Sequence, residues 1–258
     1  MLIALAQVNP TIGALEENCD RVIKYYHQAS DQGAELIIFS ELTLSGYPPK
    51  DLLLYNSFLE SERYLIDHKL LPLTTNSNTA LLIGSSYQDG DKLFNSALLL
   101  EKGEIKAIHH KSLLPNYDVF DEKRYYSPAT GCQLTMLGDL PAAITICEDI
   151  WNDRTYFNSP NYEIDPLESL FSQGARLLIN LSASPYHFGK QGQREALLSY
   201  LAAKYQAGII YLNQVGGNDE LIFDGASLVY NDSGQLLYRG AAFEEELFFI
   251  DSNELYRH

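Results

Sequence analysis

Glu41, Lys111 and Cys147 each stand where an apolar run gives way to polar residues. In Leu36-Ile37-Ile38-Phe39-Ser40-Glu41 the apolar positions read as a strand covered on both faces, and a carboxylate at its end must be solvated, paired or functional. Ala142-Ala143-Ile144-Thr145-Ile146-Cys147-Glu148-Asp149 repeats the pattern with a thiol at the changeover. Open α/β sheets place their sites at the carboxyl ends of strands, which suits Cys147 to nucleophilic chemistry. The alternative is a small buried hydrophobe, the ordinary state of a free cysteine. A thiol attacks as thiolate, and Glu148 and Asp149 beside it would by charge raise its pKa above the free value of about 8.5. A base or a cation must compensate. His109-His110-Lys111 brings a lysine to the end of a third apolar segment. Alone it reads as a solvated surface charge; beside Glu41 and Cys147 it becomes a candidate partner.

The elements that must position these groups alternate between strand and helix. Met1 to Val8 reads as a first strand, and Cys19, Val22, Ile23, Tyr26 and Ala29 then recur at helical spacing. Gly33 stops that helix before the strand at Leu36, which completes a βαβ unit. Ala80 to Ser85 is a further strand, and Phe94 to Leu100 with Glu104 to His109 reads as a hairpin about Glu101-Lys102-Gly103. Ala142 to Ile146, Arg176 to Leu181 and Gly208 to Leu212 are strands, with a helix from Gln191 to Gln206 before the last. Ser227 to Tyr230 and Gln235 to Tyr238 flank the turn Asn231-Asp232-Ser233-Gly234. Gly33-Ala34-Glu35-Leu36-Ile37-Ile38 is echoed by Gly174-Ala175-Arg176-Leu177-Leu178-Ile179, which suggests two similar packed halves. The pattern predicts one α/β domain over 1–258, with helices outside and mixed sheets inside.

With 46% hydrophobic residues in 258, the chain can bury a sizeable core. A net charge of −16 repels phosphate backbones and anionic membrane surfaces, so the expected substrate is small and neither nucleic acid nor membrane is an expected partner. No basic segment precedes the first apolar run, and none reaches the roughly 18 residues of a membrane span. Cys19, Cys132 and Cys147 form neither an even disulfide set nor a CxxC pair, which fits a reducing cytoplasm. Cys19 and Cys132 take the structural reading. G-x-G-x-x-G, the P-loop, H-E-x-x-H and G-x-S-x-G are all missing, so no cofactor and no metal is expected. The adjacent His109 and His110 would point to opposite faces of a strand.

The stretches FSELTLSGYPPKDLL, HHKSLLPNYDVFDEKRYY, ITICEDIW and NLSASPYHFGK resemble, in order and approximate spacing, the nitrilase superfamily of carbon-nitrogen hydrolases. Within it they are most similar to the glutaminase domains of glutamine-dependent NAD synthetases. The resemblance runs from Met1 to about Asp251. It implies a four-layer αββα sandwich and hydrolysis of L-glutamine to release ammonia through a cysteine thioester. Its Glu-Lys-Cys triad falls on Glu41 as base, Lys111 as oxyanion stabiliser and Cys147 as nucleophile. The positions matching its glutamine contacts are Tyr47, Tyr117, Glu148, Trp151, Ser184 and Lys190. Glu148 suits an ammonium, while Lys190 and Ser184 suit a carboxylate. Tyr47 and Trp151 fit core packing equally well. Glu122 is either a carboxylate orienting Lys111 or part of an exposed charge cluster.

By the same resemblance a synthetase module, as a further domain or a separate subunit, is the expected consumer of the ammonia, and a homo-oligomer is expected. The synthetase's S-G-G-x-D-S motif is missing from the sequence, so the chain is expected to hold the glutaminase unit alone. The run Pro115 to Tyr126, with little apolar periodicity, is the expected movable element. An independent amidase for another small amide, or an inactive binding scaffold, are the alternatives. Glu148, Trp151 and Lys190 favour glutamine, whose two charged ends need charges to meet them.

Overall fold

The computed structural model describes residues 1–158 and 161–256. The chain opens with strand β1 (Leu2–Gln7), helix α1 (Leu15–Asp31) and strand β2 (Leu36–Ile38), β1 and β2 running parallel. Helix α2 (Asn56–Leu65) passes through a π-helical turn at Ile66–Leu70 into α3 (Leu71–Thr75). Then β3 (Ala80–Asp89) pairs parallel with β2 and antiparallel with β4 (Lys92–Glu101), which pairs with β5 (Glu104–His110).

The second half repeats the logic. It runs through β6 (Thr135–Leu137), β7 (Leu140–Ile146), α4 (Pro166–Ser172), β8 (Leu177–Ser182), α5 (Lys190–Tyr205) and β9 (Gly208–Asn213). A ribbon of β10 (Val215–Asn218) and β11 (Leu221–Asp224) precedes β12 (Leu228–Tyr230) and β13 (Leu236–Arg239). Strand β14 (Glu246–Asp251) returns to the first half and pairs antiparallel with β1. The six-stranded sheets have the orders β14-β1-β2-β3-β4-β5 and β13-β12-β9-β8-β7-β6.

Alternation along the strands builds the layers. From β1, Ile3 and Leu5 enter the space between the sheets with Ile144, Ile179 and Ile210, while Ala4 and Ala6 face Val22 and Tyr26 of α1. Burying such an aliphatic side chain contributes roughly 1.5–3 kcal/mol. On the other outer face Leu197, Leu198 and Leu201 of α5 cover Leu178, Ile209 and Tyr211. The result is an αββα sandwich, the fold class expected from the sequence.

The echoed glycines sit at equivalent junctions: Gly33 (φ +79°) and Gly174 (φ +97°) adopt left-handed backbone between a helix and a strand. The expected strands and α5 are present with ends shifted by a residue or two, and β3 and β4 are longer than expected. The sequence reading did not contain α2, α3, β6, the β10–β11 ribbon or β14.

Candidate active site

Glu41 follows β2 on a loop held against β3. The Thr43 N–H donates to Gly84 O (3.0 Å), and the Gly84 N–H donates to Ser40 O (3.2 Å). A Cβ at Gly84 would lie 2.4 Å from Leu42 N and 2.7 Å from Glu41 Cα, so only glycine permits this approach. The Glu41 side chain is fully buried. Asn95 Nδ2 and Lys111 Nζ each donate to its Oε1 at 2.7 Å, and the Ala183 N–H donates to Oε2 at 2.9 Å. Donors from three other strand or strand-end segments therefore converge on one carboxylate.

Lys111, directly after β5, is as deeply buried, and its Nζ also donates to Glu122 Oε1 at 2.7 Å. Tyr47 OH donates to the same oxygen at 2.8 Å. Burial alone depresses an ammonium's pKa, but the facing Glu122 and Glu41 carboxylates reverse this and hold Lys111 well above its ordinary value. Burial lifts the Glu122 carboxyl, against the pull of Lys111, up to about 7. The Phe120 to Tyr126 run is thus no exposed cluster at Glu122. Its short 3₁₀ turn, Glu122–Arg124, is pinned by Glu122 N–H to Pro115 O (3.1 Å) and Tyr126 N–H to Glu122 O (2.9 Å). Within the expected movable run, Glu122 and Tyr126 are anchored, whereas Tyr117 and Val119 are exposed.

Cys147 is the first residue of a 3₁₀ turn that ends at Ile150, and its φ of +42° is left-handed. A non-glycine residue there carries strain of order 1–3 kcal/mol, held in place by its surroundings. The next turn residues supply that hold. Asp149 Oδ1 accepts from the Ser112 and Leu113 N–H groups (2.9 and 2.8 Å), and its Oδ2 accepts from Ile146 N–H (3.0 Å). One carboxylate thereby ties the backbone after Lys111 to the backbone before Cys147. Its role differs from the expected direct effect on the thiol. The Cys147 thiol stays well above its ordinary pKa through burial first and Glu41 second, with Lys111 opposing. Burial and Glu41 thus favour the protonated thiol, and attack needs a group that takes its proton.

The remaining expected residues divide into groups. Glu148 accepts from Tyr117 OH at 2.8 Å and from Tyr162 OH at 3.1 Å. Lys190 Nζ rests 3.8 Å from the centre of the Trp151 ring, a cation–π contact, and burial and Arg194 lower its pKa. Ser184 is buried, with its N–H donating to Asn213 Oδ1 (2.8 Å) and its carbonyl accepting from Arg194 (3.1 Å). Arg194 in turn grips Asp224 with two hydrogen bonds, 2.8 and 2.9 Å long. Tyr47 stands apart from the Glu148 group: its hydroxyl serves Glu122, and its ring packs edge-on against Phe223.

Sequence reasoning missed Asn95, the Ala183 N–H and Tyr162, and it gave Asp149 a different role. A polar Asn95 inside the apolar run Phe94 to Leu100 was a legible signal; a backbone N–H leaves none. Among the described residues no group of three or more His, Cys, Asp and Glu is placed to hold a metal ion, and no helix is long and apolar enough to cross a membrane.

The αββα sandwich brings Glu41, Lys111 and Cys147 to the ends of β2, β5 and β7. The family model described as carbon-nitrogen hydrolase matches residues 2–254, and the chain belongs to that family. It is 45% identical over 258 residues to the glutamine-dependent NAD(+) synthetase of Synechocystis sp., covering 96% of this chain and 45% of that protein. It is 42% identical over 251 residues to the synthetase of the same description from Thermotoga maritima, covering 96% and 41%. The chain thus spans less than half the length of these curated relatives. Among solved structures, a glutamine-dependent NAD+ synthetase from Acinetobacter baumannii in complex with ADP superposes with a TM-score of 0.86 at 33% identity, covering 98% of this chain and 46% of that one. An amidase from Nesterenkonia sp., with a TM-score of 0.81 at 23% identity over 97% of this chain and 89% of that one, shares the fold.

Proposed function

We propose that residues 1–258 form one glutaminase domain that releases ammonia from L-glutamine through a thioester on Cys147. The observation that carries this reading is the buried Glu41–Lys111 pair, both members also tied to neighbouring elements, at strand ends that also present the left-handed Cys147. Glu41 takes the thiol proton as sulfur attacks the side-chain amide carbon. Lys111 and the N–H of Glu148 face the oxyanion that forms. The intermediate collapses as the nitrogen takes the proton back from Glu41, and ammonia departs. Water then gives a proton to Glu41 and attacks the thioester, which returns the thiol and glutamate.

Glu148 receives the substrate α-ammonium, and Lys190, backed by Trp151, receives the α-carboxylate together with the buried Ser184, with the exposed Tyr117 at the rim. The names of the relatives support an NAD synthetase module as the consumer of the ammonia; a cytoplasmic location and a homo-oligomeric assembly belong to the same proposal. Ammonia release from glutamine, measured beside a panel of simple amides, tests the substrate. Glutamine is expected to be preferred, and equal turnover of acetamide or butyramide overturns the assignment in favour of a general amidase.

A further inference from the structure

The two phenols that bind Glu148 use the same oxygen, Oε1, at 2.8 Å from Tyr117 and 3.1 Å from Tyr162. Among the described residues, Oε2 receives no hydrogen bond. The phenols come from segments of unlike character. Tyr117 is 46% exposed on the run after Lys111. Tyr162 is half-buried and stapled by Asn152, a side chain with no exposure. Asn152 Oδ1 accepts from Tyr162 N–H (3.1 Å), and its Nδ2 donates to the carbonyls of Tyr162 (3.0 Å) and Ile164 (2.7 Å). Asn152 directly follows Trp151, the ring on which Lys190 rests. The single stretch Cys147 to Asn152 therefore links the thiol, the acid, the aromatic plate and the staple.

A glutamate side chain turns freely about its last torsion, which is broad and roughly two-fold. Two donors on one oxygen remove that freedom and leave the other oxygen as the open acceptor. Burial pushes the Glu148 carboxyl up, and both phenols act against this by favouring its ionised form. We infer that Tyr162, held by Asn152, is a specificity-positioning residue. It turns Glu148 Oε2 toward the α-ammonium of the bound amide and so makes the site choose an amide that carries an ammonium over one that lacks it. The inference rests on the glutamine reading above.

The test compares steady-state kinetics of the full chain on glutamine and on glutaramate, the same molecule without its α-amino group. Tyr162→Phe removes one hydroxyl and keeps the ring. Its KM for glutamine is expected to rise about 10-fold, the scale of one hydrogen bond to a charged group, with kcat within about two-fold and glutaramate kinetics unchanged. Glu148→Gln sets the scale by abolishing the preference. A merely structural role lowers kcat on both substrates together, and that outcome, or an unchanged glutamine-to-glutaramate ratio, overturns the inference. No preference for glutamine in the unsubstituted chain overturns the glutamine reading itself, a result visible before any variant is made.

Discussion

Lys111 Nζ lies 2.7 Å from Glu41 Oε1 with the lysine side chain 1% and the glutamate 0% exposed. An ion pair this deep gains little over an apolar pair of the same shape, yet losing one partner strands the other charge. Lys111→Met is therefore expected to be nearly inactive and to lose about 3–5 kcal/mol of stability in denaturant unfolding. Combining it with Glu41→Gln should recover part of that loss without recovering activity. Independent, additive losses in the double variant would show that the two groups are not coupled.

Glu41→Gln alone keeps shape and removes the proposed base. Glutamine turnover is expected to fall by about 100- to 10,000-fold. Because burial favours the protonated thiol, alkylation of Cys147 by iodoacetamide should slow as well. An unchanged alkylation rate would mean that another group takes the thiol proton.

Gly84 tests positioning at a distance from the substrate. In Gly84→Ala the new methyl meets backbone on both sides of Glu41, so the loop must move. A displacement near 1 Å costs about 100-fold in rate, with overpacking of about 1–3 kcal/mol in stability. The kcat and the unfolding midpoint measure both. Wild-type kcat in this variant would show that the loop carrying Glu41 tolerates displacement.

Glu62 makes a prediction about stability and pH. It lies buried on α2, accepting from Ser85 Oγ (2.8 Å) and Ser86 N–H (3.2 Å), and burial lifts its carboxyl from 4.5 to about 7. The folded chain therefore holds a proton that the unfolded chain has released. The stability this contributes is complete below the unfolded value of 4.5 and is lost as pH rises through about 7. Relative to the parent, Glu62→Gln is expected to gain about 2–3 kcal/mol between about pH 5 and about pH 8 in denaturant titrations. A difference that stays constant across that range would place Glu62 outside the titration.

The same residue shows where sequence reading stopped. Glu62 occupies a buried position of α2 where an apolar residue is expected, and Pro72 stands inside α3, so the helical period from 56 to 75 is masked. Strand β14 escaped notice because its identity comes from pairing with β1, more than two hundred residues away in the chain. Glu41 and Cys147 were legible because each follows an apolar strand, where a polar side chain needs a reason, whereas Lys111 follows the mixed strand Glu104–His110 and became a candidate only beside them. Glu122 was ambiguous because its flanking Asp121, Lys123 and Arg124 look solvated, and only the turn that buries it separates it from them. Contacts made by backbone, such as Ala183 N–H on Glu41, have no side-chain signature.

The central claim is that Cys147 carries the thioester. It is tested by ammonia release from glutamine by the chain and by Cys147→Ala, together with mass analysis after exposure to a glutamine-like chloroketone. The parent is expected to release ammonia and to take one label at Cys147, and the variant is expected to fold, release none and take none. Substantial turnover by Cys147→Ala, or a label carried by Cys19 or Cys132, contradicts the claim.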